Sequence, residues 1–206
     1  MENITLVYVG DPMCSWCWGF APVLEETVET TGVDLEVVVG GLRPGPAAEP
    51  LAGGLRRYLE REWAAIAERT GQPFDVGILE DLGTDWVYDT ETADMAVVQM
   101  RAMAPDRVLP FFFRVQSAFY AERTDVADPE SYRKLVEGFG VDPGAFVEAL
   151  QGDELRKLAW RDFATARRWG VAGFPTLLAR RGERLGLITA GYRPAADVIA
   201  AVSSML

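Results

Sequence analysis

Cys14 and Cys17 are the two cysteines of the chain and stand two residues apart in the run Asp11-Pro12-Met13-Cys14-Ser15-Trp16-Cys17-Trp18. Thiols at this spacing, at the junction of a strand and a helix, lie within bonding reach and can alternate between dithiol and disulfide. A cysteine at a helix N-terminus sits beside unsatisfied N–H groups and the positive end of the helix dipole, which favour its thiolate below the free value of about 8.5. The thiolate is the nucleophile of disulfide exchange. Cys14, exposed in the first turn, is then the attacking and attacked sulfur, and Cys17, one turn further in, resolves the mixed disulfide. Asp11 and the acids around it work against this chemistry, because nearby negative charge raises a thiol pKa.

Other uses of a cysteine pair fit less well. Two cysteines cannot complete a tetrahedral zinc site, and a half-site shared between two chains would still lack histidine. A structural disulfide closing so short a loop stabilises little. Inert core thiols remain as the plain alternative. The 206 residues contain no histidine, which excludes Ser-His-Asp and Cys-His sites, the HExxH zinc motif and any imidazole base. Lys134 and Lys157 are the only lysines, so a Schiff-base lysine has little support.

A second element lies near the other end, Gly170-Val171-Ala172-Gly173-Phe174-Pro175-Thr176. Phe174-Pro175 follows a glycine and precedes a strand, where either a cis X-Pro bond in a tight turn or an ordinary loop proline would fit. Trp16, between the cysteines, is expected to face solvent and offer an apolar contact to a peptide, while Trp18 and Phe20 are expected in the core. Glu36 reads as a solvent-facing strand residue, the alternative being a buried proton acceptor for Cys17. Gly40-Gly41 and Gly53-Gly54 read as turn glycines, since neither phosphate-loop pattern accompanies them.

The elements that must position these residues follow from periodicity. Ile4 to Gly10 and Leu35 to Val39 read as strands, with a helix between them from Cys14 to about Thr31 that closes on Gly32. A Gly, Pro and Ala-rich stretch from Leu42 to Pro50 marks the one internal boundary. Helices are expected around Leu55 to Ile66, Glu91 to Met103, Phe111 to Tyr120, Pro129 to Phe139, Pro143 to Leu150 and Asp153 to Trp169. Strands Thr176 to Ala179 and Leu185 to Ala190 flank a turn at Arg180-Arg181-Gly182-Glu183, and a final helix runs from Pro194 to Leu206.

Composition narrows the partners. With 49% hydrophobic and 25% charged residues the chain has the make-up of a globular domain. Its net charge is −11. The first 42 residues carry seven acids (Glu2, Asp11, Glu25, Glu26, Glu29, Asp34, Glu36) and no basic residue. Nucleic acid and anionic membranes are therefore poor partners. No run approaches the roughly 18 apolar residues of a membrane span. The opening Met1-Glu2-Asn3 lacks a positively charged signal segment, so a cytoplasmic location is expected and the sequon at Asn3-Ile4-Thr5 is without consequence.

The run Gly-Val-x-Gly-Phe-Pro-Thr-Leu-Leu at 170–178, the hairpin and final helix behind it, and Pro22 eight residues after Cys14 together resemble a thioredoxin. The interval from Cys17 to Phe174 is far longer than in thioredoxins and resembles the helical insertion of DsbA-like proteins. Asp-Pro-Met-Cys-Ser-Trp-Cys-Trp-Gly-Phe, Phe-Tyr-Ala-Glu at 119–122 and Gly-Phe-Pro-Thr resemble the cytosolic, FrnE-related oxidoreductases of that group. The resemblance implies an α/β thioredoxin fold with an inserted all-helical domain, the first unit spanning 1–43 plus 155–206 and the second 44–154. It also implies a cis Phe174-Pro175 loop and a protein-disulfide oxidoreductase or isomerase with Cys14 and Cys17 as its catalytic pair.

A protein thiol or disulfide substrate would lie beside Phe174 and Pro175, with Ser15 and Trp16 in contact. No dissociable cofactor or metal is implied; a recycling thiol such as thioredoxin or glutathione is, and a homodimer is compatible with it. Two alternatives share the fold: a glutathione-dependent isomerase or transferase of the kappa and 2-hydroxychromene-2-carboxylate type, and a non-enzymatic protease adaptor. Strongly oxidising members carry Pro-His between the cysteines, whereas here the pair is Ser15-Trp16, which predicts a less oxidising potential than theirs.

Overall fold

In the computed structural model, which describes residues 4–206, the two ends of the chain build one sheet. The expectations read from Met1-Glu2-Asn3 lie outside the described residues. β1 (Thr5–Gly10) leads into helix α1 (Ser15–Thr31) and then β2 (Asp34–Val39). α1 stops where expected, at Gly32, whose φ of 62° is open to glycine and whose N–H bonds the Val28 carbonyl. β5 (Thr176–Arg181) and β6 (Arg184–Ala190) complete a sheet of order β2-β1-β5-β6. β1 and β2 run parallel, and β5 is antiparallel to β1 from Thr5↔Arg180 to Val9↔Thr176. The β5–β6 turn is tighter than expected, Gly182-Glu183, because pairing continues through Arg181↔Arg184.

The period-2 alternation of strand side chains divides the core. Leu6, Tyr8, Val37, Val39, Leu177 and Ala179 join the main buried cluster with α1 and α9 (Ala195–Ser203). Val7, Val9, Val38 and Leu178 face the other way and form a smaller cluster with Ala166. Between β2 and β5 come β3 (Glu49–Pro50), α2 (Gly53–Thr70), α3 (Ile78–Asp81), β4 (Val87–Tyr88), α4 (Glu91–Met103), α5 (Val108–Ala121), α6 (Tyr132–Leu135), α7 (Pro143–Leu150) and α8 (Asp153–Arg168). β3 and β4 form a two-residue antiparallel ladder, too short to leave a period in the sequence. The helix expected at Pro129 to Phe139 is reduced to a turn and the four residues of α6. Gly138 and Gly140 beyond it both take positive φ, which breaks helical continuity. The buried cluster is continuous from the sheet into this segment, with Trp63, Tyr88, Phe119 and Tyr120 packed edge to face.

A buried acid ties the loops at the sheet's edge together. Asp11 is fully buried, and its carboxylate accepts from the Met13 N–H at 2.8 Å and the Leu42 N–H at 2.6 Å. Arg43 and Thr90 bond each other next to it, through Arg43 N–H to Thr90 Oγ1 at 3.2 Å and Thr90 N–H to the Arg43 carbonyl at 3.2 Å. Asp94 on α4 is also fully buried. Burial pushes its carboxyl well above the ordinary range, and the negative charge of Asp11 adds to the effect. Burial pushes the Asp11 carboxyl up as well, while its hydrogen bonds from Leu42 and Met13 pull it back.

Because burial raises the Asp94 pKa in the folded state above the unfolded value near 4, the contribution is complete below about pH 4 and is lost as pH rises through the folded value. Stability is expected to fall over that range by up to about 1.4 kcal/mol per pH unit. Asp94→Asn, which retains an N–H donor, should reduce that slope when urea unfolding is compared at pH 5 and pH 8, the remainder coming from Asp11, whose carboxyl burial also raises. An undiminished slope would place the proton elsewhere. Gly41 has a φ of 70°, and a Cβ there would lie 2.9 Å from the buried ring of Phe163. Gly41→Ala should therefore cost about 1–3 kcal/mol in the same assay, while Gly54→Ala, which meets nothing within 4 Å, should stay within about 0.5 kcal/mol of the parent.

Candidate functional site

Cys14 is the N-cap of α1, in extended backbone conformation, and its side chain does not cap the helix. Its N–H bonds the Asp11 carbonyl at 3.0 Å, and its own carbonyl accepts from the Trp18 N–H at 3.1 Å. The thiol is therefore free to turn away from the helix, and Cys14 Sγ donates to the Phe174 carbonyl at 3.7 Å. The Phe174-Pro175 peptide bond is cis. Phe174 is held by the absence of a side chain at Gly40, where a Cβ would fall 2.1 Å from its ring. This loop covers the cysteine: Cys14 is 6% exposed, where the sequence suggested an exposed sulfur.

Cys17 is fully buried, and both cysteines are free thiols. Burial pushes the Cys17 thiol well up, and the adjoining Cys14 sulfur pushes it further, while the Tyr8 hydroxyl and the Asp11 N–H pull it back. Asp11 thus faces Cys17 with its main chain, its carboxylate being committed to Met13 and Leu42. The arrangement disfavours the Cys17 thiolate by burial and sets a phenol hydroxyl beside its sulfur.

Tyr8 was not singled out from the sequence. It sits on β1 six residues before Cys14, with its ring 6.3 Å from Phe20 and 5.5 Å from Phe112, and its hydroxyl has no hydrogen-bond partner of regular geometry. Gly10 makes room for it, since a Cβ there would lie 2.7 Å from the hydroxyl. A lone phenol among the aliphatic residues of a buried strand, on the face that meets the cysteines, was the available signal. Tyr88 was missed as well. Its hydroxyl donates to the Met13 carbonyl at 2.6 Å and so fixes the residue preceding Cys14.

Trp16 is half-buried, not free in solvent: its ring lies 6.1 Å from Tyr192 and 5.9 Å from the Arg69 guanidinium. With Phe174 and Gly191 these residues line a recess of about 270 Å³. Ser15 is half-buried at the start of α1, and Pro175 is buried. Trp18 and Phe20 are buried, Trp18 donating from Nε1 to the Pro73 carbonyl at 2.9 Å. Glu36 is exposed and paired with Arg180, so it is not the proton acceptor for Cys17. The structure thus gathers Cys14, Cys17, Trp16 and Phe174 from the two ends of the chain.

This geometry can be set beside known proteins. The profile of the DSBA-like thioredoxin domain matches residues 5–191. A candidate protein disulfide isomerase from Nitrosomonas europaea superposes with a TM-score of 0.87 at 33% identity, covering 98% of this chain and 97% of that one. The cytosolic disulfide reductase DsbM from Pseudomonas aeruginosa does so with a TM-score of 0.79 at 30% identity, covering 98% of each chain. The same reductase with GSH gives 0.77 at 29% identity over 98% of each chain. The ClpXP adapter protein SpxH of Halalkalibacterium halodurans is 22% identical over 177 residues, which is 82% of this chain and 56% of the relative. The chain thus spans little more than half the length of that curated relative. No helix among the described residues is long and apolar enough to cross a membrane. A central sheet ringed by helices, a Cys-x-x-Cys helix and a match over residues 5–191 agree on one assignment: the chain belongs to the DSBA-like thioredoxin domain family.

Proposed function

We propose that this protein is a cytoplasmic thiol–disulfide oxidoreductase in which Cys14 is the nucleophile and Cys17 the resolving thiol. The observation that carries this reading is the placement of Cys14 Sγ at the head of α1, 3.7 Å from the carbonyl of the cis-proline loop, with the Cys17 thiol directly behind it. In the reducing direction the Cys14 thiolate attacks one sulfur of a substrate disulfide. The Cys14–substrate bond forms, the substrate S–S bond breaks, and the leaving thiolate takes a proton from solvent. Cys17 then gives up its proton and attacks Cys14 Sγ. This expels the second substrate thiol and leaves a Cys14–Cys17 disulfide, with the two electrons now on the substrate. Thioredoxin or two equivalents of glutathione restore the dithiol.

Within this reading Ser15, Trp16, Phe174 and Pro175 form the substrate-facing rim. Residues 1–43 with 155–206 form the thioredoxin-like unit, and residues 44–154 are its helical insertion. The cytosolic location and the GSH complex of the Pseudomonas reductase support the compartment and the recycling thiol proposed here. The SpxH likeness keeps a binding role in view, and the trap below separates the two.

Cys17→Ser should accumulate mixed disulfides through Cys14 in cells and with glutathione disulfide in vitro, seen as thiol-reversible mass adducts; Cys14→Ser should accumulate none. A Cys17→Ser protein that stays unadducted while Cys14 resists alkylation would end the redox reading in favour of a binding module. Tyr8→Phe keeps the ring and removes the donor. Since the hydroxyl favours the charged form of the sulfur, its loss should raise the Cys17 pKa further. The pH profile of mixed-disulfide resolution should move up with it, and an unmoved profile would leave Tyr8 a packing residue.

A further inference from the structure

We propose that Arg69, held between Trp16 and Tyr192 on the rim of the cysteine site, forms a subsite for the carboxylate of a small anionic thiol of the glutathione type. The inference rests on the assignment of Cys14 as the attacking sulfur. Arg69 lies in the last turn of α2, and its guanidinium stands 5.9 Å from the Trp16 ring and 5.4 Å from the Tyr192 ring. Two aromatic faces brought together from distant parts of the chain orient one cation, while the N–H edge of a stacked guanidinium stays open to an acceptor. Among the described residues no carboxylate pairs with it. Arg56 on the same helix shows the contrast, bonding Glu60 at 3.0 Å.

The charge balance makes this cation conspicuous. The motif belongs to a 42-residue stretch with seven acids and no basic residue, in a chain of net charge −11. Such a field repels anionic substrates. The structure nevertheless lends the site an arginine from α2 and leaves it unneutralised. Trp16 lies two residues from Cys14, and Phe174, whose carbonyl meets Cys14 Sγ, lines the same recess. A group bound by Arg69 is therefore within a short span of the reacting sulfur. At about 270 Å³ the recess falls below the roughly 300–1,000 Å³ of drug-sized ligand pockets. It suits one carboxylate-bearing residue of a short thiol, not a whole cofactor. Arginine's planar fork matches a carboxylate in two parallel hydrogen bonds.

S-methylglutathione, which cannot exchange, tests binding apart from chemistry. Titrated into the full chain, it should bind about tenfold more weakly to Arg69→Gln than to the parent, with Arg69→Lys between them. The parent's affinity should fall with salt while that of Arg69→Gln changes little. In turnover, the ratio of kcat/KM for glutathione disulfide over bis(2-hydroxyethyl) disulfide should drop about tenfold in Arg69→Gln, through KM. Equal binding by parent and variant, or no binding by the parent, overturns the subsite. So does an unchanged ratio, including the case in which Arg69→Gln loses only its preference for an acidic over a neutral disulfide-bonded peptide. Arg69-dependent binding without turnover would instead uphold the subsite and defeat the oxidoreductase reading.

Discussion

Val9 of β1 pairs with Thr176 of β5 in an antiparallel ladder that joins two segments some 170 residues apart, and the loops leaving these residues emerge at the same end of the sheet. One loop carries Cys14 and the other carries Phe174 and Pro175. Closing so long a connection costs chain entropy. What offsets it is burial on both faces: Leu6, Tyr8 and Leu177 enter the main core, while Val7, Val9 and Leu178 enter the smaller cluster beneath α8. Every other feature of the site presupposes this pairing. Without it Cys14 Sγ has no Phe174 carbonyl, Gly40 has no ring to accommodate, and the recess at Trp16 loses two of its walls.

In a chain without histidine and with a net negative charge, the donors that surround the two thiols are neutral ones. They are the open amides at the head of α1, the Asp11 main chain and the Tyr8 hydroxyl. The acid count of the motif region overstates the charge the cysteines meet. Asp11 spends its carboxylate on the Met13 and Leu42 amides, burial pushes the carboxyl of Asp94 well above the ordinary range, and Glu36 is paired with Arg180 at the surface. Burial acts on thiol and acid alike: it raises the Cys17 thiol, and it pushes up the Asp11 and Asp94 carboxyls beside the motif.

How much of this was legible in the sequence depended on the range of the cause. Cys14 with Cys17, the helix closing on Gly32 and the strands at both ends are written in spacing and periodicity, and they stand where those patterns put them. Phe174-Pro175 was legible as a candidate turn, and only the likeness to a family chose its cis form. Trp16 was misjudged because what covers it comes from Arg69 on α2 and Tyr192 after β6, neither of which is near it in sequence. Cys14 was expected to be exposed for the same reason: its lid is the opposite end of the chain. Tyr8 escaped because its role lies in a tertiary contact with Cys17, while along the strand it merely occupies a core-facing place.

The segment between β2 and β5 does more than enlarge the molecule, because it bonds to the residues on either side of the two cysteines. Tyr88 of β4 holds the Met13 carbonyl at 2.6 Å, Pro73 accepts from Trp18 Nε1 at 2.9 Å, and Gln72 Nε2 donates to the Trp18 carbonyl at 3.0 Å. Met13 and Trp18 bracket the two cysteines, so both flanks of the motif are bonded to residues of the middle segment. The aromatic cluster of Trp63, Phe119 and Tyr120 stands behind these partners. Close-packed interiors transmit displacement instead of absorbing it. A repacking of that cluster would therefore reach Cys14 through Tyr88 and Trp18, and the position of its sulfur is set jointly by the sheet and by the middle segment.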